Sequence, residues 1–216
     1  MLTILNQFKI DKEGFKGIMK SKIKYYIIFI SLAILGISAG IFYLTVIKKG
    51  DMEFPSDVTL QTAWEEPYSF ANMEPKVRLV EFMYTQCPDI CPPTTFKMSQ
   101  LRKELKDQGV FGEKVEFMTI TIDPEHDTPE VLAEFAKLFE IEKNDGWVFL
   151  TGDDEDVKKV ADAFEFLYRD PGTGFLIHSS FTYLVDEKNN LIEIFGMGED
   201  GFDKDRVMDR IQRLIK

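Results

Sequence analysis

The pattern of apolar and polar residues divides residues 77–216 into alternating short strands and longer helices. Apolar or period-two runs predict strands, and apolar residues three or four apart predict helices. The predicted strands are 77–84, 115–122, 147–150, 181–185 and 191–195. The predicted helices are 92–109, 129–138, 153–164 and a last one carrying Val207, Ile211 and Leu214. The order β-α-β-α-β-α-β-β-α predicts an α/β domain with a central sheet and helices on both faces.

Local signals set the ends of these elements. Pro92 and Pro93 fit the first turn of a helix, and Gly109 is suited to end it. Asp127 or Thr128 is expected to cap the next helix, whose predicted buried stripe is Val131, Leu132, Phe135 and Leu138. Residues 170–174 form a Gly-rich turn, which we expect at the tip of a hairpin.

A different pattern occupies the N-terminal part, where residues 25–47 contain no charge. A helix of this length spans about 34 Å, enough to cross a bilayer. Six lysines precede the run and two follow it directly, which favours a cytoplasmic N-terminus. A cleaved signal peptide is the alternative, but the run is longer than an ordinary signal core.

These signals predict four segments. Residues 1–24 form a cytoplasmic basic tail, 25–47 a single transmembrane anchor, 48–57 a linker and 58–216 the folded domain. We therefore expect a single-pass protein of the cell membrane whose domain lies on the extracytoplasmic side. Residues 1–49 carry a net +6, so the remaining residues carry −17 of the chain's total of −11. Such an acidic domain is not suited to binding nucleic acid.

Candidate chemistry is concentrated in the chain's two cysteines, Cys87 and Cys91, four residues apart. They fall between the first long strand and its helix, where the positive end of a helix stabilises thiolates. Spacing of i and i+4 at a helix start predicts that both sulfurs share one face. A pair of this kind is suited to metal binding or to disulfide exchange, and a purely structural disulfide would stabilise so short a loop only slightly.

A third ligand is sought among the two histidines, His126 and His178. His178 follows the Gly-rich turn at the mouth of a strand, which makes it the better candidate. His126 lies in a charged segment and is interpreted as a loop or helix-cap residue. Two thiolates and an imidazole suit Cu(I), whereas a structural zinc site needs a fourth ligand such as Asp89, Asp123 or water.

Three motifs together resemble the Sco/SenC family. They are Tyr84-Thr85-Gln86-Cys87-Pro88-Asp89-Ile90-Cys91-Pro92, Ile122-Asp123-Pro124-Glu125-His126-Asp127-Thr128-Pro129, and His178-Ser179-Ser180 with the strand after it. The resemblance implies a membrane-tethered, thioredoxin-like copper protein that assists cytochrome c oxidase assembly. It also implies that Cys87, Cys91 and His178 bind copper, as Cu(I) or Cu(II), and that Asp123 lies near the site.

Two features depart from related patterns. The family commonly has arginine where this chain has His126, and this difference does not make His126 a ligand. Ordinary thioredoxins have a cis-proline before the strand near their dithiol, but residues 177–181 contain no proline. The missing proline counts against ordinary disulfide exchange.

The resemblance leads to one main functional hypothesis and two alternatives. The main hypothesis is a metallochaperone that delivers copper to the binuclear site of cytochrome c oxidase subunit II, served by a copper donor and a thiol reductant. The first alternative is a thiol–disulfide oxidoreductase that reduces the cysteines of that site. The second is a peroxide-reducing or redox-sensing protein, for which the hydroxyls of Thr94 and Thr95 give weak support.

Overall fold

The computed structural model describes residues 24–42 and 54–216. The first range is one helix, α1 (Lys24–Phe42), whose mean hydropathy of 2.2 and 19-residue length suffice to cross a membrane. Signal sequences share this length and composition, so the uncleaved anchor at 25–47 stays a prediction, as do the other segment boundaries. The basic tail up to residue 23, the end of the predicted anchor from residue 43 and the linker up to residue 53 lie outside the described residues.

The second range is built on a seven-stranded sheet and a separate two-stranded hairpin. The strands are β1 (Thr59–Thr62), β2 (Pro67–Ser69), β3 (Val77–Met83), β4 (Val115–Thr121), β5 (Trp147–Thr151), β6 (Tyr168–Arg169), β7 (Ile177–His178), β8 (Phe181–Val185) and β9 (Leu191–Gly196). The sheet order is β2-β1-β5-β4-β3-β8-β9, and β6 pairs with β7. Strands β3, β4 and β5 are parallel, whereas β1, β8 and β9 run antiparallel to their neighbours.

Five helices accompany these strands in the second range. They are α2 (Cys91–Asp107), α3 (Pro129–Leu138), α4 (Asp154–Ala163), a short α5 (Gly198–Gly201) and α6 (Lys204–Leu214), with a 3-10 turn at Phe70–Asn72. Gly109 follows α2 with φ of +69°, a left-handed conformation that glycine adopts at low cost. The predicted end of this helix is thereby confirmed.

The central strand β3 shows how the layers are arranged, because all seven of its residues are buried. Alternate side chains point to opposite faces of a sheet. Glu81 points to the face covered by α2, where it contacts Thr95. Phe82 points to the other face, where its ring packs on Phe164 after α4 and on Phe166 before the β6–β7 hairpin. The expected sheet with helices on both faces is confirmed.

Two parts of the sequence prediction, the buried stripe of α3 and the list of strands, were wrong or incomplete. In α3 the residues buried against the sheet are Leu132 and Ala136, whereas Val131 is 38% and Leu138 is 76% exposed. Val131 and Leu138 are seven residues apart and lie on a neighbouring strip, about 100° away around the helix axis. The edge strands β1 and β2 were not predicted, since segments of four and three residues carry little periodic signal.

Candidate metal centre

Two thiols and an imidazole converge at one end of the parallel strands. The Sγ atoms of Cys87 and Cys91 and a ring nitrogen of His178 all lie within 4.8 Å of one another. Both cysteines are free thiols and both are buried, with exposed fractions of 6% for Cys87 and 1% for Cys91. The three residues that the sequence nominates as copper ligands therefore lie close enough to share one ion, and their role as ligands remains a proposal.

The two cysteines are held differently. Cys91 is the first residue of α2 and is fixed by the helix. Cys87 is not on the helix, so the expectation that both sulfurs lie on one helix face was wrong. It lies in the loop between β3 and α2, where its N–H donates to the carbonyl oxygen of Tyr84 at 3.1 Å. Pro88 disfavours helical backbone geometry at the residue before it, Cys87.

The surroundings shift the pKa values of the two thiols in opposite directions. A hydrogen bond from Cys91, another from His178 and two backbone N–H groups at the helix start lower the pKa of Cys87, against the effect of burial. The hydrogen bond between the two thiols, together with burial, raises the pKa of Cys91. The metal-free site is therefore best described as a Cys87 thiolate stabilised by a Cys91 thiol.

The ring of His178 is held in an orientation that suits metal binding. Its Nδ1 lies 2.7 Å from the carbonyl oxygen of Ser179, which can only accept, so Nδ1 carries the proton. This leaves the lone pair of Nε2 available to a metal, the arrangement that outer-shell hydrogen bonds impose on ligating histidines. The ring stacks on Phe166 with centroids 5.9 Å apart and meets Tyr84 edge-on at 5.8 Å.

Protonation of His178 depends on Cys87. Burial of the ring disfavours the charged form, but hydrogen bonds to Cys87 and to the Ser179 carbonyl outweigh burial and raise the pKa of His178 above its ordinary value. A thiolate beside an imidazolium is a favourable ion pair in the absence of metal. Because metal ligands bind in their deprotonated forms, metal binding competes with protonation of His178 and Cys91.

His126 and Asp123 form a separate pair at the surface. Nδ1 of His126 lies 2.8 Å from Oδ1 of Asp123, and the histidine side chain is 58% exposed. Hydrogen bonding to Asp123 raises the pKa of His126. Neither residue belongs to the cysteine–histidine group, which agrees with the interpretation of His126 as a surface loop residue. Asp123 lines a groove with Tyr84 and Gln86 and so lies near the site. Among the described residues, its carboxylate forms a hydrogen bond with His126 and none with the three candidate ligands.

One buried acidic residue near the site, Glu81, was not identified from the sequence. Glu81 has no exposed surface, and burial raises its pKa to about 8 despite hydrogen bonds from Thr119 and Thr95. Thr95 Oγ1 lies 3.3 Å from Glu81 Oε1 and 3.1 Å from the carbonyl oxygen of Cys91. The carboxyl group is thus linked to the first turn of α2. An acidic residue inside an apolar strand is the signal that could have revealed it.

The donor set fits a soft metal ion. Thiolates and imidazole are preferred by copper and zinc, while calcium and magnesium prefer oxygen ligands. A closed structural zinc site has four protein ligands, and the group found among the described residues supplies three. Among the ions the sequence left open, these residues fit copper best.

Comparisons with known proteins agree with this geometry. A sequence model of the SCO1/SenC family matches residues 49–216. A SCO2-like protein of Rickettsia typhi is 33% identical over 194 residues, covering 82% of this chain and 92% of the relative. The crystal structure of Arabidopsis thaliana ScoI with copper bound is 27% identical with a TM-score of 0.62, covering 73% of this chain and 94% of that one.

A further solved structure is BsSco, a member of the Sco family of cytochrome c oxidase assembly proteins in which a disulfide switch was identified. It is 27% identical with a TM-score of 0.63, covering 75% of this chain and 94% of BsSco. The similarity to these structures confirms the predicted thioredoxin-like fold. The family match spans most of the chain and agrees with the sequence resemblance, and it shows that the chain belongs to the SCO1/SenC family.

Proposed function

We propose that this protein is a membrane-anchored copper metallochaperone that binds one copper ion through Cys87, Cys91 and His178. The observation that carries the proposal is the convergence of two thiols and an imidazole whose Nδ1–H is engaged by the Ser179 carbonyl. This arrangement presents three soft or borderline donors with the nitrogen already oriented. The copper-bound ScoI relative supports the choice of metal.

We propose subunit II of cytochrome c oxidase as the recipient of the copper. The support is the connection of a Sco relative with oxidase assembly and the position of the site at the end of the sheet, among loops. Delivery by ligand exchange needs thiolates on the recipient that replace Cys87 and Cys91 one after the other. No electron has to move in that exchange, and the copper donor and thiol reductant remain unspecified partners.

We further propose that α1 is an uncleaved anchor with its N-terminus in the cytoplasm, so that the copper site lies on the extracytoplasmic side. The support is the apolar 19-residue helix and the lysine excess before it. Protease added to intact spheroplasts should then degrade residues 54–216, while protease added to the outside of sealed inverted vesicles should leave them intact.

The transfer hypothesis is tested with the copper-loaded, detergent-solubilised chain and the metal-free soluble domain of subunit II. We expect copper to move to the recipient from the wild-type protein and the matched surface variant His126→Ala. His178→Ala should load poorly and release copper without specificity for that domain. Equal transfer to an unrelated dithiol protein would contradict a dedicated chaperone role.

One observation favours thiol–disulfide exchange as a second function. The lowered pKa of Cys87 beside the raised pKa of Cys91 is typical of an attacking and a resolving cysteine. The Cys87 thiolate would attack a substrate disulfide and release one substrate thiol. Cys91 would then attack the mixed disulfide, lose its proton, and release the second thiol, leaving a Cys87–Cys91 disulfide. Catalytic reduction that survives His178→Ala would favour this function over copper delivery.

A further inference from the structure

The loop that carries Cys87 is tied to a buried carboxylate from another loop. Asp127 lies between β4 and α3 and has no exposed surface. Its Oδ2 accepts a hydrogen bond from the backbone N–H of Thr85 at 3.0 Å, and its Oδ1 accepts one from the Thr85 hydroxyl. Thr85 is two residues before Cys87. The carboxylate thus holds the segment that leads directly to the first thiol.

A second loop is joined to the same carboxylate. The hydroxyl of Thr121, at the end of β4, donates to Asp127 Oδ2 at 2.6 Å. The same hydroxyl oxygen accepts from the N–H of Asp123 at 3.0 Å. Asp127 therefore connects the ends of the two neighbouring central strands, β3 and β4. A buried carboxylate is retained when hydrogen bonds offset the loss of water, and three donors serve that purpose here.

Asp127 does not cap the helix that follows it, α3. Either Asp127 or Thr128 fitted the N-cap of α3 by sequence, and the structure assigns the cap to Thr128, whose Oγ1 accepts from the N–H of Val131 at 3.4 Å. Asp127 points instead into the loop before α2. Asp127 thus has no capping role in α3, and both of its carboxylate oxygens accept hydrogen bonds from the ends of β3 and β4.

Among the three candidate ligands, Cys87 depends most on such support. Cys91 is fixed by α2, and His178 is fixed by the Ser179 carbonyl and by two aromatic rings. Cys87 lies in a segment with neither helix nor strand geometry, between residues 84 and 91. Its position therefore follows from the turn at residues 84–87, and that turn is held by the two Thr85–Asp127 hydrogen bonds.

From these contacts we infer that Asp127 is a positioning residue for Cys87, setting where its sulfur lies relative to Cys91 and His178 and hence the affinity and geometry of the metal centre. The inference rests on the proposed copper site and deepens it. An asparagine at position 127 would keep one oxygen but direct an NH₂ group at donors from Thr85 or Thr121. The carboxylate charge is lost, and the Thr85 hydroxyl can keep its contact only by turning to accept from the NH₂ group, so the charge-assisted hydrogen bonds to this loop are weakened.

The test compares four forms of the reduced, detergent-solubilised full chain: wild type, Asp127→Asn, Thr85→Val and Thr128→Ala. Thr128→Ala is the matched control, since it weakens the neighbouring helix cap and leaves the Thr85–Asp127 contact in place. Cu(I) affinity is measured by competition with a chromogenic chelator. The Cu(II) form is recorded by its thiolate-to-copper absorption and its electron paramagnetic resonance spectrum.

We expect Asp127→Asn to lower copper affinity about 10- to 100-fold, the usual consequence of losing an outer-shell partner, and to shift the thiolate absorption band. Thr85→Val removes one of two contacts, so its effect should be smaller and in the same direction. Thr128→Ala should lower the thermal midpoint and leave affinity and spectra as in wild type. Native affinity and spectra in Asp127→Asn would overturn the inference, as would equal changes in Thr128→Ala.

A metal-free measurement separates this inference from the proposed function. The alkylation rate of Cys87 in the reduced chain, located by mass spectrometry, should change several-fold in Asp127→Asn and stay unchanged in Thr128→Ala. If the wild type binds no copper, the proposed function fails, and the alkylation rates still decide whether Asp127 positions Cys87. Identical Cys87 rates in all four forms would refute the positioning role. If Asp127→Asn does not fold, the comparison of Thr85→Val with wild type and Thr128→Ala provides the same test.

Discussion

The two ends of strand β3 carry buried charged groups of very different character. Near its start, Arg78 is 1% exposed, and its guanidinium donates to Glu116 at 2.7 Å, to Asn189 at 3.2 Å, and to the backbone carbonyl oxygens of Glu74 and Lys76. The hydroxyl of Tyr68 donates to the same carboxylate. The charges at this end are matched by opposite charge and by well-formed hydrogen bonds.

The other end of β3 leaves its titratable groups without full compensation. Glu81 has only hydroxyl partners, and burial raises its pKa to about 8. Beyond it, the pKa of Cys87 is lowered and that of Cys91 raised. Perturbed acidities concentrate where a protein performs chemistry, and matched buried ion pairs are typical of structural roles. The comparison indicates that one end of the strand supports the fold, while the other end carries the group that we propose as the copper site.

The largest expected effect on stability is at the structural end. Arg78→Met removes the cation and leaves the largely buried Glu116 carboxylate beside a methionine side chain, which should destabilise the protein by about 3–5 kcal/mol. Urea unfolding of the full chain in detergent, followed by tryptophan fluorescence, measures the loss. Lys159→Met, which breaks an exposed ion pair with Asp57, is the control and should leave the free energy of unfolding close to that of wild type. A small loss in Arg78→Met would remove the distinction between the two ends.

At the end of β3 that carries Glu81, the prediction concerns how stability depends on pH. The pKa of Glu81 is about 8 in the folded chain against an ordinary value of 4.5. Between these values the folded protein keeps a proton that the unfolded chain has lost, so stability falls as pH rises from about 4.5 to 8 and no further above 8. Glu81→Gln stays neutral, so we expect its stability relative to wild type to increase over this range by about 4 kcal/mol.

The measurement for Glu81 is the free energy of unfolding at several pH values from 5 to 9. Glu113→Gln, at an exposed position before β4, is the control and should follow the wild-type pH dependence. Parallel curves for wild type and Glu81→Gln would mean that Glu81 is not a buried neutral acid in the folded chain.

The smallest predicted effect is at the link between Glu81 and α2. Thr95→Val removes the hydroxyl near the Glu81 carboxyl and the Cys91 carbonyl, and it should cost about 1–2 kcal/mol because buried polar groups lose a partner. Thr95→Ser keeps the hydroxyl and should retain more of the wild-type stability. Thermal unfolding at pH 7 compares the two variants. Equal stability of Thr95→Val and wild type would show that this link has no energetic role.

Much of the fold could be predicted because its central elements are long and regular. Strands β3 and β4 have seven residues each, and their apolar composition identifies them without tertiary information. The candidate ligands were found for another reason, since two cysteines and two histidines leave few combinations in 216 residues. Residue chemistry pointed to the cysteine pair, and the position of His178 at a strand end together with the family resemblance selected it as the third candidate ligand.

The remaining features depend on tertiary contacts that local rules do not contain. Asp127 and Thr128 are equivalent helix caps by sequence, and only the position of Thr85 shows that Asp127 serves another loop. Similarly, Arg78 and Glu81 are both charges in an apolar strand. Their different roles follow from what lies across the sheet, namely Glu116 beside Arg78 and Thr119 beside Glu81.

Copper binding by the reduced full chain tests the central claim most directly. Metal analysis and chelator competition are applied to wild type, to Cys87→Ser, Cys91→Ser and His178→Ala, and to the surface control His126→Ala. We predict one copper per chain for wild type and His126→Ala, loss of tight binding in both cysteine variants, and an affinity reduced at least tenfold in His178→Ala. Wild-type affinity in all three ligand variants would contradict the assignment of this end of the sheet as a copper site.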